Sequence, residues 1–241
     1  MEVIDHTFKA LGMNFKWIVF FSIPFLLAFI IPMLSPLPTY VAMGGTFLRT
    51  GSIPEMNQFE LGLVILATIL SIFSISFALA AINVVRKHNR TLTKIPKEVV
   101  EGLEGNVLTI FGVYVTVGLF YFVVYLASYE YGIQEIVGPL ITFIASLCLF
   151  YVPAAIVIDE LRPYHAVRAS LRHIYKKPAL FLLWLVIAMV SLVALDAIFI
   201  ILKDSIPFAR YILLVLNSLV LMPFLVVLQT QAYLTKYTIL K

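Results

Sequence analysis

Six long apolar runs constrain this chain more than any other feature of its sequence. The bilayer core holds no water, so every backbone N–H and C=O must be paired within the chain, and only helices or closed barrels can span it. Barrel strands would be shorter and would alternate polar with apolar residues. The runs predict an all-α polytopic membrane protein, a single transmembrane domain of residues 1–241. Each run fits the roughly 17–25 residues of a transmembrane helix, and they cover residues 17–34, 61–85, 107–128, 136–158, 179–202 and 211–233.

The composition agrees with this class. The chain is 62% hydrophobic and 12% charged, whereas soluble domains carry about 25% charged residues. The first run is too long for the apolar core of a signal peptide, and residues 35–38 form a poor cleavage site, so we expect this helix to be retained. The single cysteine, Cys148, lies inside an apolar run. We expect it to be a small buried hydrophobe without a disulfide partner.

Lysine and arginine predict the orientation of the bundle. Fourteen of them lie in the N-terminal segment, in the connections after the second and fourth runs, and in the tail, whereas Arg49, Lys203 and Arg210 lie in the other connections. The positive-inside rule then predicts a multi-pass protein of the plasma membrane with both termini in the cytoplasm. A net charge of +4 could also suggest nucleic acid, but anionic lipid headgroups explain it without a soluble domain. We predict the lipid bilayer as a partner and no nucleic acid.

A short amphipathic segment precedes each odd-numbered run. Apolar residues spaced by three and four form one face, so the segments are predicted to be helices in the membrane plane with these stripes facing inward. The pattern suggests three repeats of an amphipathic helix plus a transmembrane hairpin, residues 1–85, 86–158 and 159–241. Unrelated segments under the same membrane constraint could also look alike. The stripes are Ile4, Phe8, Leu11 and Phe15; Ile95, Val99, Leu103 and Val107; and Tyr164, Val167, Leu171 and Ile174.

The third segment carries a recognisable pattern, IVIDELRPYHAVRASL at residues 156–171. Apolar residues end a helix, two acids follow, then comes Pro-x-x-Ala and a basic run. This resembles the signature of poorly characterised prokaryotic six-helix membrane proteins related to the membrane domain of glycerophosphodiester phosphodiesterases. The resemblance implies the six-helix fold but not the activity, because the chemistry of those fusions belongs to a separate soluble barrel domain, for which this chain has no room.

The sequence offers little chemistry. His6, His88, His165 and His173 all lie in predicted cytoplasmic segments, and none has metal-ligand spacing with Cys or acidic residues. P-loop, Gly-x-Ser-x-Gly and His-Glu-x-x-His motifs are missing from the sequence. We therefore predict no enzyme, no cofactor and no metal.

Two features lie inside the spans. Asp196 is the one carboxylate well within a run, and ionisable residues there are costly unless they are paired or hydrated. Asn217 lies at a matched depth on the next helix, so we expect the two to be in contact directly or through a water, with Tyr125 or Arg210 completing the polar site. The second run carries small residues that would let another helix approach, within this chain, in a partner or in a second copy. These are Ala67, Ser71, Ser74, Ala78 and Ala81.

Two function classes remain open. The leading hypothesis is a non-enzymatic membrane subunit or scaffold that binds a protein partner, or a second copy, through its cytoplasmic amphipathic helices. The alternative is a small-solute or lipid transporter, or the permease subunit of a transport system with a separate ATPase. A polar cavity that reaches the bilayer midplane would favour transport, and a solid apolar interior would favour the subunit. The candidate partner surface comprises Arg162, Arg168, Arg172, Lys176 and Lys177.

Overall fold

A computed structural model describes residues 2–33, 58–91, 95–202, 205–206 and 208–237. Every regular element in them is helical. The α-helices are α1 (Glu2–Met33), α2 (Gln58–Thr91), α3 (Ile95–Glu130), α4 (Gln134–Leu149), α5 (Val152–Asp159), α6 (Pro163–Lys176), α7 (Pro178–Leu202), α8 (Ala209–Leu216) and α9 (Met222–Leu234). A π-helical turn, Asn217–Leu221, joins α8 to α9, and a 3-10 turn, Thr235–Tyr237, follows α9.

Within the described residues, six helical segments are long and apolar enough to cross a membrane, which confirms the predicted all-α class with six spans. The fourth segment combines α4 with α5, and the sixth combines α8, the π-helical turn and α9. The six segments are Val3–Ile31, Gln58–His88, Leu103–Glu130, Gln134–Asp159, Pro178–Leu202 and Tyr211–Tyr237.

Prolines account for the interruptions of the fourth and sixth spans. The break between α4 and α5 falls at Phe150 and Tyr151, immediately before Pro153 at the start of α5. The π-helical turn ends at Leu221, two residues before Pro223. A proline has no N–H to donate and its ring clashes with the preceding turn, so a helix breaks or widens there. Pro139, in contrast, lies within α4 without ending it.

The closely packed core lies at one end of the bundle, which we call the basic end because Lys87, Lys177 and Lys236 lie there. Residues 78–86 of α2 are buried throughout, as are residues 152–157 of α5 and most of α9. The opposite end, which we call the far end, holds the turn between α3 and α4 and is much more exposed. In α7 the only buried residue is Ala188. The bundle is therefore solid at the basic end and open to its surroundings elsewhere.

The small-residue stripe of α2 packs largely within the chain. Ala78 and Ala81 are fully buried and Ser71 is buried, whereas Ala67 and Ser74 are half-buried. The helix contacts α1, α3, α5 and α9. Small side chains on α2 thus let several neighbours approach it closely.

The three predicted amphipathic segments are helical, but the stripes of the first and third are only partly turned toward the bundle: Leu11, Val167 and Ile174 are half-buried against the core. Within the first segment of α1 the buried residues are Thr7, Ala10 and Asn14, and on α6 they are Ala166, Ser170 and His173. Bulky apolar residues that were expected to face inward are exposed instead. They are Phe8 at 59%, Phe15 at 62%, Tyr164 at 74% and Leu171 at 42%.

The physical reason for this correction is the solvent. Lipid is as apolar as leucine, so a bulky side chain gains little by leaving it, whereas small and polar residues permit close packing and hydrogen bonds between helices. The second segment behaves as expected in part, since Leu103 and Val107 are buried. It continues without a break into its span as α3, whereas Asn14 interrupts α1 with a non-helical φ of −124°. The three-repeat organisation stays a prediction.

Candidate functional site

Helix α6 is bounded by two prolines. Pro163 takes the first helical position, where its fixed φ suits the helix and its missing N–H costs nothing, and Arg162 before it is extended at ψ 153°. Pro178 starts the next helix, and Lys177 before it leaves helical geometry at φ −135° and ψ 60°. The sequence therefore sets α6 as a separate short helix between two spans.

The connection from α5 to α6 reverses direction through an unusual residue. Glu160 has a left-handed φ of 54°, and its backbone N–H caps α5 by donating to the Ala155 carbonyl. A side chain in this conformation costs roughly 1–2 kcal/mol. Lys87 donates to the Glu160 carboxylate at 2.6 Å, and this contact and its charge lower the pKa of Glu160. The exposed ion pair ties α2 to the turn.

The buried face of α6 completes the break between α4 and α5. In an unbroken helix the Tyr151 N–H would donate to the Leu147 carbonyl. Here the Ser170 hydroxyl lies between them: it accepts from the Tyr151 N–H at 3.0 Å and donates to the Leu147 carbonyl at 3.3 Å. Ser170 and Tyr151 are both fully buried. The hydroxyl thus replaces one missing backbone hydrogen bond, and it does so from another helix.

His173 and Lys177 hold α6 to the end of α9. The His173 Nε2–H donates to the Ala232 carbonyl at 3.1 Å, and its ring packs against those of Tyr151 and Tyr233, with centroids at 4.8 and 5.3 Å. Lys177 Nζ donates to the carbonyl and hydroxyl oxygens of Thr235 at 2.8 and 2.9 Å. Lys177 thus binds oxygens just beyond the end of α9, and His173 adds a further donor to the Ala232 carbonyl, which also accepts from the Thr235 N–H and hydroxyl.

The surroundings of His173 favour its neutral form. Burial lowers its pKa, the nearby charges of Lys177 and Lys236 lower it further, and the hydrogen bond to Ala232 only partly offsets them. The neutral ring fits an apolar, cation-flanked position against two tyrosines.

Asp159 joins the last turn of α5 to the end of α9. The Tyr233 hydroxyl donates to the Asp159 carboxylate at 2.6 Å, and Lys236 and Tyr237 donate to it as well. Deeper in the same core, the Thr230 hydroxyl donates to the Asn83 amide oxygen at 2.9 Å. These polar side chains are thus paired with one another, whereas the buried Tyr151 hydroxyl of the same core has no partner among the described residues.

The outer face of α6 is basic and aromatic. Arg162, Arg168, Arg172 and Lys176, which we call the basic surface, are all exposed, and no ion pair joins them to another described residue. Lys177, the fifth residue predicted for this surface, is half-buried and bound to Thr235 instead. Tyr164, Leu171 and Tyr175 are exposed alongside, at helical spacing on one face.

The polar site expected around Asp196 is not closed by a direct hydrogen bond to Asn217. Asp196 is exposed on α7, and the Asn217 amide oxygen is buried without a hydrogen-bond partner among the described residues. Tyr125 stacks on Tyr121 at 5.9 Å on α3, and the Arg210 side chain lies outside the described part. No direct hydrogen bond joins Asp196 to the Asn217 amide oxygen, since equal depth does not fix the rotation of each helix about its axis, and the wider polar site stays a prediction.

A groove opens between α3, α4 and α7. Its volume is about 1060 Å³, and it runs along α4 from the far end to the break before α5. Its lining is mainly aromatic and aliphatic, with polar side chains concentrated toward the far end. The lining residues are Tyr121, Tyr125, Gln134, Glu135, Gly138, Pro139, Thr142, Phe143, Ser146, Leu147, Phe150, Phe181, Trp184 and Leu185.

The fold is compatible with a multi-pass membrane protein. Comparison with protein-family models, with curated proteins and with solved structures gave no match. The resemblance of residues 156–171 therefore stays a prediction from that motif alone. Sequence reasoning singled out α6 but missed Ser170 and His173 as its anchors. Their signal was available as a spacing of three on the polar side of the segment, but their partners are remote in sequence.

Proposed function

We propose that this protein is a non-enzymatic subunit or scaffold of the plasma membrane, with both termini in the cytoplasm, that binds an acidic partner protein through α6. The observation that carries the proposal is the two-sided character of this helix. One side is fixed to the bundle by Ser170, His173 and Lys177, while the basic surface faces away.

A fixed helix is suited to recognition. Binding loses affinity when side chains and backbone must be ordered at the interface, and the anchors of α6 order its backbone beforehand. Arginine is well adapted to carboxylates, since its planar guanidinium forms two parallel hydrogen bonds. Arg168 and Arg172, one helical turn apart, are both exposed. They would offer a pair of such forks to an acidic segment.

The interior supports the subunit hypothesis over transport of a polar solute. At the basic end the buried side chains form a continuous apolar core of α1, α2, α3, α5 and α9. Its polar groups, such as Asn83 and Thr230, bond to one another. A core of this kind gives α6 a rigid support.

The proposal is tested by charge reversal on α6 with a matched control. The variant Arg168→Glu/Arg172→Glu changes two exposed residues of the basic surface, and Lys9→Glu/Lys16→Glu makes the same charge change on exposed residues of α1. Each protein is extracted with its native lipid, and the proteins that co-purify are quantified by mass spectrometry. We expect one acidic partner to be lost from the α6 variant and retained by the control. Equal recovery of that partner with the wild type and with both variants would overturn the proposal.

The groove favours the alternative in one specific form, a lipid transporter. Its lining is apolar over most of its length and it opens at the side of the bundle, where an acyl chain could enter. Reconstitution into vesicles with a fluorescent lipid in one leaflet tests this alternative. Transfer of the lipid between leaflets at a rate above that of empty vesicles would support it, and no acceleration would count against it.

A further inference from the structure

The groove between α3, α4 and α7 has two chemically different parts. Along α4 it extends from Gln134 to Phe150, which at a rise of 1.5 Å per residue is about 24 Å. This length is most of the roughly 30 Å of bilayer hydrocarbon. A ligand that fills it must therefore be elongated, and the two parts specify the chemistry of its tail and of its head.

The inner part offers mainly apolar contacts and no free side-chain donor among its described polar residues. Phe150 packs edge to face against Phe181 and Trp184, with centroids at 4.9 and 4.7 Å. The Trp184 indole N–H is already used, since it donates to the Leu225 carbonyl at 2.8 Å. Thr142, one of the few polar residues along the way, donates its hydroxyl to the Gly138 carbonyl of its own helix. The same is true of Ser146, which donates to the Thr142 carbonyl. This part suits an alkyl chain.

The outer part is rich in hydrogen-bond acceptors and aromatic faces. The Gln134 amide oxygen is buried and has no partner among the described residues, and the Glu135 carboxylate lies beside it in the lining. Pro139 has no N–H, so the Glu135 backbone carbonyl has no donor at its helical position. The stacked rings of Tyr121 and Tyr125 form the facing wall. None of the described lining residues is Lys or Arg.

Gly138 sets the position of this aromatic wall. It is buried, and a Cβ added to it would lie 3.4 Å from Tyr125 Cε2. The absence of a side chain thus lets α4 approach the Tyr125 ring. An anionic head would meet a carboxylate and unpaired oxygens here, whereas a cation would meet acceptors together with the negative faces of two aromatic rings.

We propose that this groove binds a cationic amphiphile, with an ammonium or quaternary ammonium head at Glu135, Gln134, Tyr121 and Tyr125 and an alkyl tail along α4. The net positive charge distinguishes it from a zwitterionic lipid, whose phosphate would find no basic side chain among the described lining residues. The groove, at about 1060 Å³, is at the upper end of the roughly 300–1,000 Å³ of small-molecule sites. The proposal does not depend on the partner surface of α6.

The test uses the full chain in maltoside micelles with dodecyltrimethylammonium as the probe. Binding is followed by native mass spectrometry and by tryptophan fluorescence, to which Trp17 and Trp184 both contribute. Glu135 is exposed, and Glu135→Gln removes its charge while keeping the size and shape of the side chain. Glu130→Gln makes the same change at an exposed residue outside the groove, near the same turn. We expect Glu135→Gln to raise the Kd of the probe about threefold to fivefold, as for a partly exposed charge contact. Glu130→Gln should leave the Kd unchanged.

Tyr125→Leu provides a second measurement, with an expected loss of about threefold to fivefold from the missing cation–π contact. Circular dichroism checks that each variant keeps its helical content. Dodecyl sulfate and dodecanol should bind at least threefold more weakly than the cation. Equal affinity of the anion or the alcohol, or equal effects of Glu135→Gln and Glu130→Gln, would overturn the proposal. Displacement of the probe by phosphatidylethanolamine at an equal concentration would overturn the choice of a cationic over a zwitterionic head.

Discussion

Replacing Ser170 by alanine tests the most specific feature of the packed end. The hydroxyl bridges the Tyr151 N–H and the Leu147 carbonyl at 3.0 and 3.3 Å, in a place where Ser170 and Tyr151 are fully buried. Alanine would leave a buried N–H and a buried C=O without a partner. A buried polar group that loses its partner costs about 1–3 kcal/mol. We therefore expect Ser170→Ala to lower the free energy of unfolding by about 2 kcal/mol.

The control is Ser146→Ala. The Ser146 side chain is exposed and its hydroxyl bonds only to the Thr142 carbonyl of its own helix, so its loss should change the free energy of unfolding by less than about 0.5 kcal/mol. Unfolding is followed by circular dichroism during titration of the micelles with dodecyl sulfate. Hydrogen exchange at Tyr151 gives a local measurement, and its amide should lose protection in Ser170→Ala.

Two results would refute this reasoning. The first is a Ser170→Ala protein as stable as Ser146→Ala, which would mean that the serine hydroxyl contributes nothing net. The second is unchanged protection at the Tyr151 amide. That result would mean that α4 and α5 straighten and re-form the backbone bond to Leu147, so the break would depend on the serine rather than on Pro153.

Three further predictions concern the same end and the orientation. The pKa of His173 lies below its ordinary value of about 6.5. Its neutral form therefore contributes fully to stability above about pH 6.5, and this contribution is lost as the pH falls from there through the lowered pKa. In thermal melts across this pH range, the melting temperature of His173→Gln should fall less with decreasing pH than that of the wild type. An equal fall in both proteins would exclude His173 as the source of the pH dependence. Tyr233→Phe removes the 2.6 Å bond to Asp159 and should cost about 1–3 kcal/mol in the dodecyl sulfate titration, whereas a cost near zero would make that bond dispensable. Single cysteines at Gly51 and Asn89 should react with impermeant thiol reagents from opposite faces, with Gly51 outside. Reaction of both from one face would contradict the predicted orientation.

The sequence by itself determined the class of protein. Apolar runs must cross the bilayer as helices because no water is available to satisfy the backbone, and this argument needs only local sequence. Pro163 and Pro178 likewise set the limits of α6 locally, and Pro153 and Pro223 mark the interrupted spans. Run length is a property of one segment and could be predicted without knowing its neighbours, whereas proline position alone does not locate a break, since Pro139 lies within α4 without ending it.

Only the tertiary structure decided which side of each helix is buried. Hydrophobicity orients a helix in water, but in lipid it does not distinguish a lipid contact from a helix contact. Tyr164 and Leu171 therefore face outward, while Ser170 and His173 face the bundle. Asp196 and Asn217 form no direct hydrogen bond for the related reason that depth follows from residue count whereas rotation follows from packing. The partners of Ser170 and His173 come from α4, α5 and α9, and long-range contacts of this kind arise only when the helices assemble.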